Sequence, residues 1–336
     1  MGDFTFNTEM IGFALIVGGS LVLIGLERLF PYNNNQPFFR EGFWNDLLWY
    51  TFIQSYFLQI VIFAGIIHWI DSSTNISRLQ LITDWPIWLQ VAFFTVTHDL
   101  YIYWAHRFQH KNKVLWRTHE AHHSPIHVDW IAGSRSHAGE ILVNQTIEFA
   151  PIILLGAPPE VVVWKGVVSA IWGMYIHANI NVRSGWLQYV INGPEMHRWH
   201  HADWPPEALD KNFGTKLAIW DWMFGTAYLP DGKAQEFGLA HSRFPLSEVE
   251  GKKHARLQQV FGWEWLRQNA FAFRSFRFSR EEQEKLAAER RLREQQYRQR
   301  EADRKVGENG VHAAGGNGRA QNGAHHTATE REEHLS

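Results

Sequence analysis

Residues 98–110 read His-Asp-Leu-Tyr-Ile-Tyr-Trp-Ala-His-Arg-Phe-Gln-His and close an apolar run that begins near Trp85. His106 and His110 stand four apart, and Asp99, Tyr103, His106 and His110 share one stripe of a helix. Two more clusters follow, His119-Glu120-Ala121-His122-His123 and His197-Arg198-Trp199-His200-His201, both of the form H-x-x-H-H. Positions i, i+3 and i+4 are neighbours on a helix surface, so each cluster is expected to project three imidazoles together. A lone histidine is usually a core or surface residue. Eight in repeated spacings beside apolar runs point to bound metal. The chain has no Cys, which excludes disulfides and thiolate ligands. A metal must then be held by His, carboxylate or amide groups.

Working outward, the apolar runs at about 10–30, 43–70 and 85–105 are each long enough to cross a bilayer, which takes roughly 20 mostly apolar residues. A shorter pair, about 141–176 and hinged at Gly156-Ala157-Pro158-Pro159, reads as a shallow helical hairpin or two short spans. The 17 Trp and 23 Phe suit a surface that meets hydrocarbon and headgroups. Basic residues flank the first loop (Arg28, Arg40) and follow the third span (Arg107, Lys111, Lys113, Arg117). The positive-inside rule then places the histidine clusters on the cytoplasmic side. The expected fold is all-α, a multi-span membrane bundle with a cytosolic helical cap that carries a His-rich di-metal site. The domain order is a membrane-embedded catalytic region over 1–270, a charged helix over 271–305, and a disordered tail over 306–336 that holds His312, His325, His326 and His334 outside the site. With 32 basic against 34 acidic residues, nothing suggests a nucleic-acid partner.

Two redox-active irons that stay bound while changing oxidation state need many neutral nitrogen donors and open positions for O₂, and eight clustered histidines can supply them. One rival comes from the same residues. His119-Glu120-Ala121-His122-His123 satisfies H-E-x-x-H, the zinc-hydrolase motif with the Glu as base, and so permits an intramembrane metalloprotease. A metal transporter is a further alternative. Against the protease, the twin cluster has Arg198 where the Glu would stand, and two clusters would be left without a role.

HDLYIYWAHRFQH, THEAHHS, NGPEMHRWHHADW and KNFGTKLAIWDWMFGT, spread over about residues 90–230, together resemble the fatty acid hydroxylase/sterol desaturase superfamily. The order of elements and the closing D-x-x-FGT piece are most similar to its sterol desaturase and alkylglycerol monooxygenase branch. The resemblance implies an O₂-dependent enzyme that hydroxylates or desaturates a membrane lipid. It implies two iron ions (Zn as a substitute) and an external electron donor of cytochrome b5, ferredoxin or reductase type. It implies an integral, multi-pass protein of a bacterial inner membrane or the endoplasmic reticulum. His106, His110, His119, His122, His123, His197, His200 and His201 are its implied ligands. His177 is added from the piece ahead of the third cluster, where relatives carry a second His at the place of Asn181. His98, eight residues before His106, and His137, in Ser-Arg-Ser-His-Ala-Gly-Glu, are further candidates. Asp99, Asn181 and Glu140 are expected to orient ligands by hydrogen bonding, with Asp129, Asp203 and Asp221 as additional carboxylates.

Overall fold

The computed structural model describes residues 2–239, 244–245, 255–274 and 279–316. Among them the regular structure is helical, and β pairing is limited to isolated bridges between Pro31 and Ile180 and between Ala202 and Phe237. The chain forms two compact units, residues 1–275 and 276–336.

In the first unit, α1 (Gly2–Leu29) packs along α6 (Pro159–His177). A Cβ at Gly12 would stand 2.7 Å from Val163, so the glycine is what lets these helices approach. α2 (Asn45–Thr74) winds into wide π-type turns over Asn45–Gln54 and Ile60–Ile67. α3 (Ile87–Lys111) and α4 (Lys113–His123) are separated at Asn112, whose side chain accepts from Val114 and Leu115 N–H and so caps α4. α5 (Ala138–Leu154) and α6 follow each other over a short turn and pack together, with Pro159 at the first position of α6. The short helices α7 (Pro194–His201) and α8 (Ile219–Met223) follow, then α9 (Ala255–Val260) and α10 (Trp263–Phe271).

Two helical stretches, Asn7–Leu29 and Asn45–Thr74, are long and apolar enough to cross a membrane. Only 11% and 22% of their apolar windows are buried, so most of that surface is left uncovered, unlike a soluble core helix. The expected third span is also a helix, but Gln90, His98 and Asp99 make α3 more polar, and α5 is short at 17 residues.

The second unit holds α11 (Arg280–Gly316), which runs past the expected end at 305. Ser279 and Glu282 start it with reciprocal hydrogen bonds, Glu282 N–H to Ser279 Oγ and Ser279 N–H to Glu282 Oε2. Residues 317–336 of the expected tail lie outside the described residues.

Candidate metal centre

Nine histidines converge into two groups, in each of which the possible ligand atoms lie within 4.8 Å of one another. One group is His106, His110, His119, His123 and His200. The other is His122, His177, His197 and His201. The groups abut, with the His123 and His201 rings stacked at 4.6 Å between centroids.

The two H-x-x-H-H helices do not deliver their imidazoles as triplets. At 3.6 residues per turn, i and i+4 are only about 40° apart, while i+3 is turned about 100° from i+4. Helix α4 accordingly gives the pair His119 and His123 to the five-imidazole group and His122 to the other. Helix α7 does the reverse, giving His197 and His201 to the four-imidazole group and His200 across. The end of α3 adds the pair His106 and His110, and the end of α6 adds His177. Gly133 makes room for His177, since a Cβ there would lie 2.5 Å from its Nδ1.

Ring orientation is fixed from behind. The Nδ1–H groups of His106, His200 and His177 donate to the carbonyls of Phe213 (2.8 Å), Lys211 (2.7 Å) and Gly173 (2.7 Å). His119 Nδ1 bonds Glu140 Oε1 at 2.9 Å, and His110 Nδ1 faces Asp210 Oδ1 at 3.3 Å. A carbonyl or carboxylate oxygen only accepts, so each Nδ1 carries the proton and each Nε2 presents a lone pair. In the larger group all five Nε2 atoms are buried without a hydrogen-bond partner. At about 1–3 kcal/mol for each unpaired buried polar atom, their joint cost is comparable to the whole stability of a domain. In the smaller group the Nε2 of His177 sits 3.0–3.2 Å from those of His122, His197 and His201. Cations satisfy both arrangements, so the donor sets fit two metal ions held by neutral imidazole.

Electrostatics keep the donors neutral. Burial lowers the pKa of all nine imidazoles, to about 3 for His106 and about 4 for His177. Burial pushes Glu140 up to about 8, opposed by a hydrogen bond from Gln109. The hydrogen bond from His110 holds Asp210 below the usual carboxylate range.

The surrounding chain is tied down by ions. Arg40 donates to Asp46 (2.6 Å) and Asp129 (2.8 Å), and Arg135 donates to Asp46 (2.6 Å) and to the Ser124 hydroxyl (3.2 Å), all four charged residues being buried. This network fixes the 124–135 segment directly after His122 and His123. Arg198, buried between the third cluster's ligands, donates to the Ala178 and Ile180 carbonyls and so locks α7 to the turn after His177.

His98 and His137 lie outside both groups. His98 stands 3.7 Å from Glu148 and neither ring nitrogen is hydrogen-bonded. His137 caps α5, accepting from Gly139 N–H, while its Nε2 faces the Asn269 carbonyl. Asn181 is exposed, and Asn179 is the buried residue of that turn. Asp99 does not touch a ligand. It accepts from Thr215 Oγ, Lys216 N, Leu217 N and Trp220 Nε1, clamping the loop that carries the Phe213 carbonyl. Asp221 holds the same loop through Phe213 N and Gly214 N, both at 2.7 Å. Glu120, the base of the protease reading, lies 3.6 Å from Arg117, and the motif's His119 and His123 share their group with three further imidazoles, unlike the open three-ligand site of a zinc hydrolase. Sequence reasoning missed Asp210 and the carbonyls of Lys211, Phe213 and Gly173. Only the Gly-containing KNFGT loop hinted at a close approach.

The site and fold define a helical, membrane-associated protein with a histidine-only pair of metal-binding groups. Comparison with known proteins gives the family. Residues 91–226 match the family model described as fatty acid hydroxylase, and every ligand candidate lies within them. An ornithine lipid hydroxylase of Rhizobium tropici is 34% identical over 189 residues, covering 52% of this chain and 57% of that protein. An alkylglycerol monooxygenase of Danio rerio is 34% identical over 194 residues, covering 56% and 42%. A Delta(7)-sterol 5(6)-desaturase of Gibberella zeae is 28% identical over 116 residues, covering 34% and 36%. Residues 91–226 are thus similar to fatty acid hydroxylases, and these relatives belong to the fatty acid hydroxylase/sterol desaturase superfamily. It spans about half the length, or less, of these relatives. No solved structure matches it.

Proposed function

We propose that the chain is an O₂-dependent di-iron oxidoreductase that hydroxylates or desaturates a membrane lipid. The observation that carries this reading is the convergence of five and four neutral imidazoles into two abutting groups, all within the segment shared with lipid hydroxylases. The ligand set is His106, His110, His119, His123 and His200 for one ion, and His122, His177, His197 and His201 for the other. Bound there, two iron ions would supply the O₂ activation needed to oxidise an unactivated C–H bond.

The protein's own contribution is orientation and exclusion. Glu140, Asp210 and the Lys211, Phe213 and Gly173 carbonyls hold the protons of His119, His110, His200, His106 and His177 on Nδ1 and their lone pairs inward. Burial of eight of the nine ligands, with His110 partly buried, keeps bulk water from the oxidising centre. The names of the relatives, an ornithine lipid hydroxylase and an alkylglycerol monooxygenase among them, support a lipid substrate.

In this reading α1, α2 and α3 cross the membrane, the α5–α6 hairpin enters it, and the metal centre lies at the cytoplasmic surface, capped by α4 and α7. The basic residues after the third span, Arg107, Lys111, Lys113 and Arg117, are the docking face for a separate electron-transfer protein, because the chain has no Cys for an iron–sulfur cluster. The test is metal analysis of the purified protein together with lipid extracts of cells with and without the gene. Two irons per chain and a lipid that gains one oxygen atom or loses two hydrogens are expected. One tightly bound zinc with no O₂-dependent lipid change, or full lipid oxidation by His200→Ala, would refute it.

A further inference from the structure

The segments on either side of α7 expose apolar side chains on one continuous face. The turn Gly185–Tyr189 presents Trp186, Leu187 and Tyr189, and α8 presents Trp222 and Met223, with Trp186 73% and Met223 62% exposed. The two segments are joined to each other. Trp222 Nε1 donates to the Gln188 carbonyl, the Tyr189 and Trp222 rings lie 4.8 Å apart, and Ala218 N–H donates to the Val190 carbonyl. Residues 185–190 and 219–224 hold a single charged side chain, Asp221. It is fully buried and turned inward onto Phe213, Gly214 and Thr226. The outward face is therefore aromatic and aliphatic without charge.

Its depth follows from what holds it. Asp99 of α3 accepts four hydrogen bonds from residues 215–220. Further along α3, Tyr103 and Trp104 pack their rings on Phe224 at 5.3 and 4.9 Å. The 215–224 segment thus lies beside α3 from residue 99 to 104, inside the stretch proposed to cross the membrane. Asp99 is six residues before the span's end at about 105, which at 1.5 Å per residue is about 9 Å. That matches the roughly 5–10 Å to which interfacial helices sink their apolar faces. Trp and Tyr are the residues enriched at that level. Arg107, over the Trp104 ring, and the exposed Arg183 stand at its rim, where cationic side chains meet headgroups.

We infer that the 185–190 and 219–224 segments form a membrane-immersed face, seated at the headgroup–acyl boundary beside α3, so that the loop bearing the Phe213 and Lys211 carbonyls is anchored in lipid. The inference rests on the proposal that α3 crosses the membrane, and the test separates the two. The chain's lack of cysteine permits single-site labelling without background substitutions. Nitroxide labels at Trp186→Cys and Met223→Cys, in the full-length protein in bilayers of zwitterionic and anionic phospholipid, are read by collision with O₂ and with a water-soluble nickel chelate. Val96→Cys, on the exposed side of α3, reports the span, and Glu207→Cys reports water. Labels at 186 and 223 are expected to lose collision with the chelate and keep it with O₂, as at 96. Chelate access at 186 and 223 equal to that at 207, with 96 protected, would overturn the inference and assign the patch to a protein partner. Chelate access at 96 as well would overturn the spanning reading on which it stands.

Discussion

Replacing Glu140 by Gln separates the two metal groups in a single experiment. The Glu140 carboxylate is buried and accepts from His119 Nδ1 at 2.9 Å, and His119 belongs to the five-imidazole group. Partners of this kind set imidazole basicity as well as ring orientation, and their loss lowers metal affinity about 10–100-fold, or about 1.4–2.7 kcal/mol. A Gln side chain retains an oxygen that can accept the same proton, so orientation survives, and what is lost is the negative charge that Glu140 carries above its raised pKa of about 8. The expected drop for Glu140→Gln is therefore near the lower bound, about 10-fold. Glu140→Ala, which also leaves the Nδ1–H unpaired, is expected near the upper one. The assay is a chelator titration of purified protein, with metal per chain counted by mass spectrometry at each step. One ion should leave at lower chelator concentration than in the parent, while the other, in the four-imidazole group, leaves unchanged. Retention of both ions at the parent's concentrations, or their parallel loss, would refute this assignment.

Three further outcomes are expected. Asp221→Ala removes the acceptor of the Phe213 and Gly214 N–H groups and should cost about 1.5–3 kcal/mol in thermal unfolding, with weaker metal retention because the Phe213 carbonyl orients His106. Asp46→Asn leaves the buried Arg40 and Arg135 guanidiniums without their shared counter-charge and should destabilise by about 3–5 kcal/mol, measured by denaturant titration. In metal-stripped protein the nine imidazoles titrate below the ordinary 6.5, to about 3 for His106 and about 4 for His177. The unfolded chain then binds more protons than the folded one below pH 6.5, so stability is full above that pH and falls as the pH drops towards 4. Near-ultraviolet circular dichroism against pH checks this, and a stability flat over that window would contradict it.

The helices and the identity of the ligand-bearing segments were legible in the sequence, because both depend on local periodicity. An apolar run of sufficient length is helical wherever it lies, and H-x-x-H-H places imidazoles within one turn. The resemblance added His177, which spacing alone did not mark. Local spacing could not say which metal each imidazole would face. That depends on how α4 and α7 insert between the ends of α3 and α6, and there the 100° between i+3 and i+4 sends one imidazole of each triplet to the opposite group. The same limit explains His98 and His137, which look like ligands by composition and are carried away from the centre by the packing of α3 against α5 and by the capping of α5. The acceptors behind His106, His177 and His200 are backbone carbonyls, which every residue possesses and no sequence pattern marks. The sequence by itself determined histidine clusters able to hold metal, set beside apolar helices. Tertiary packing alone decided the division into five and four, since it is a relation between helices and not within one.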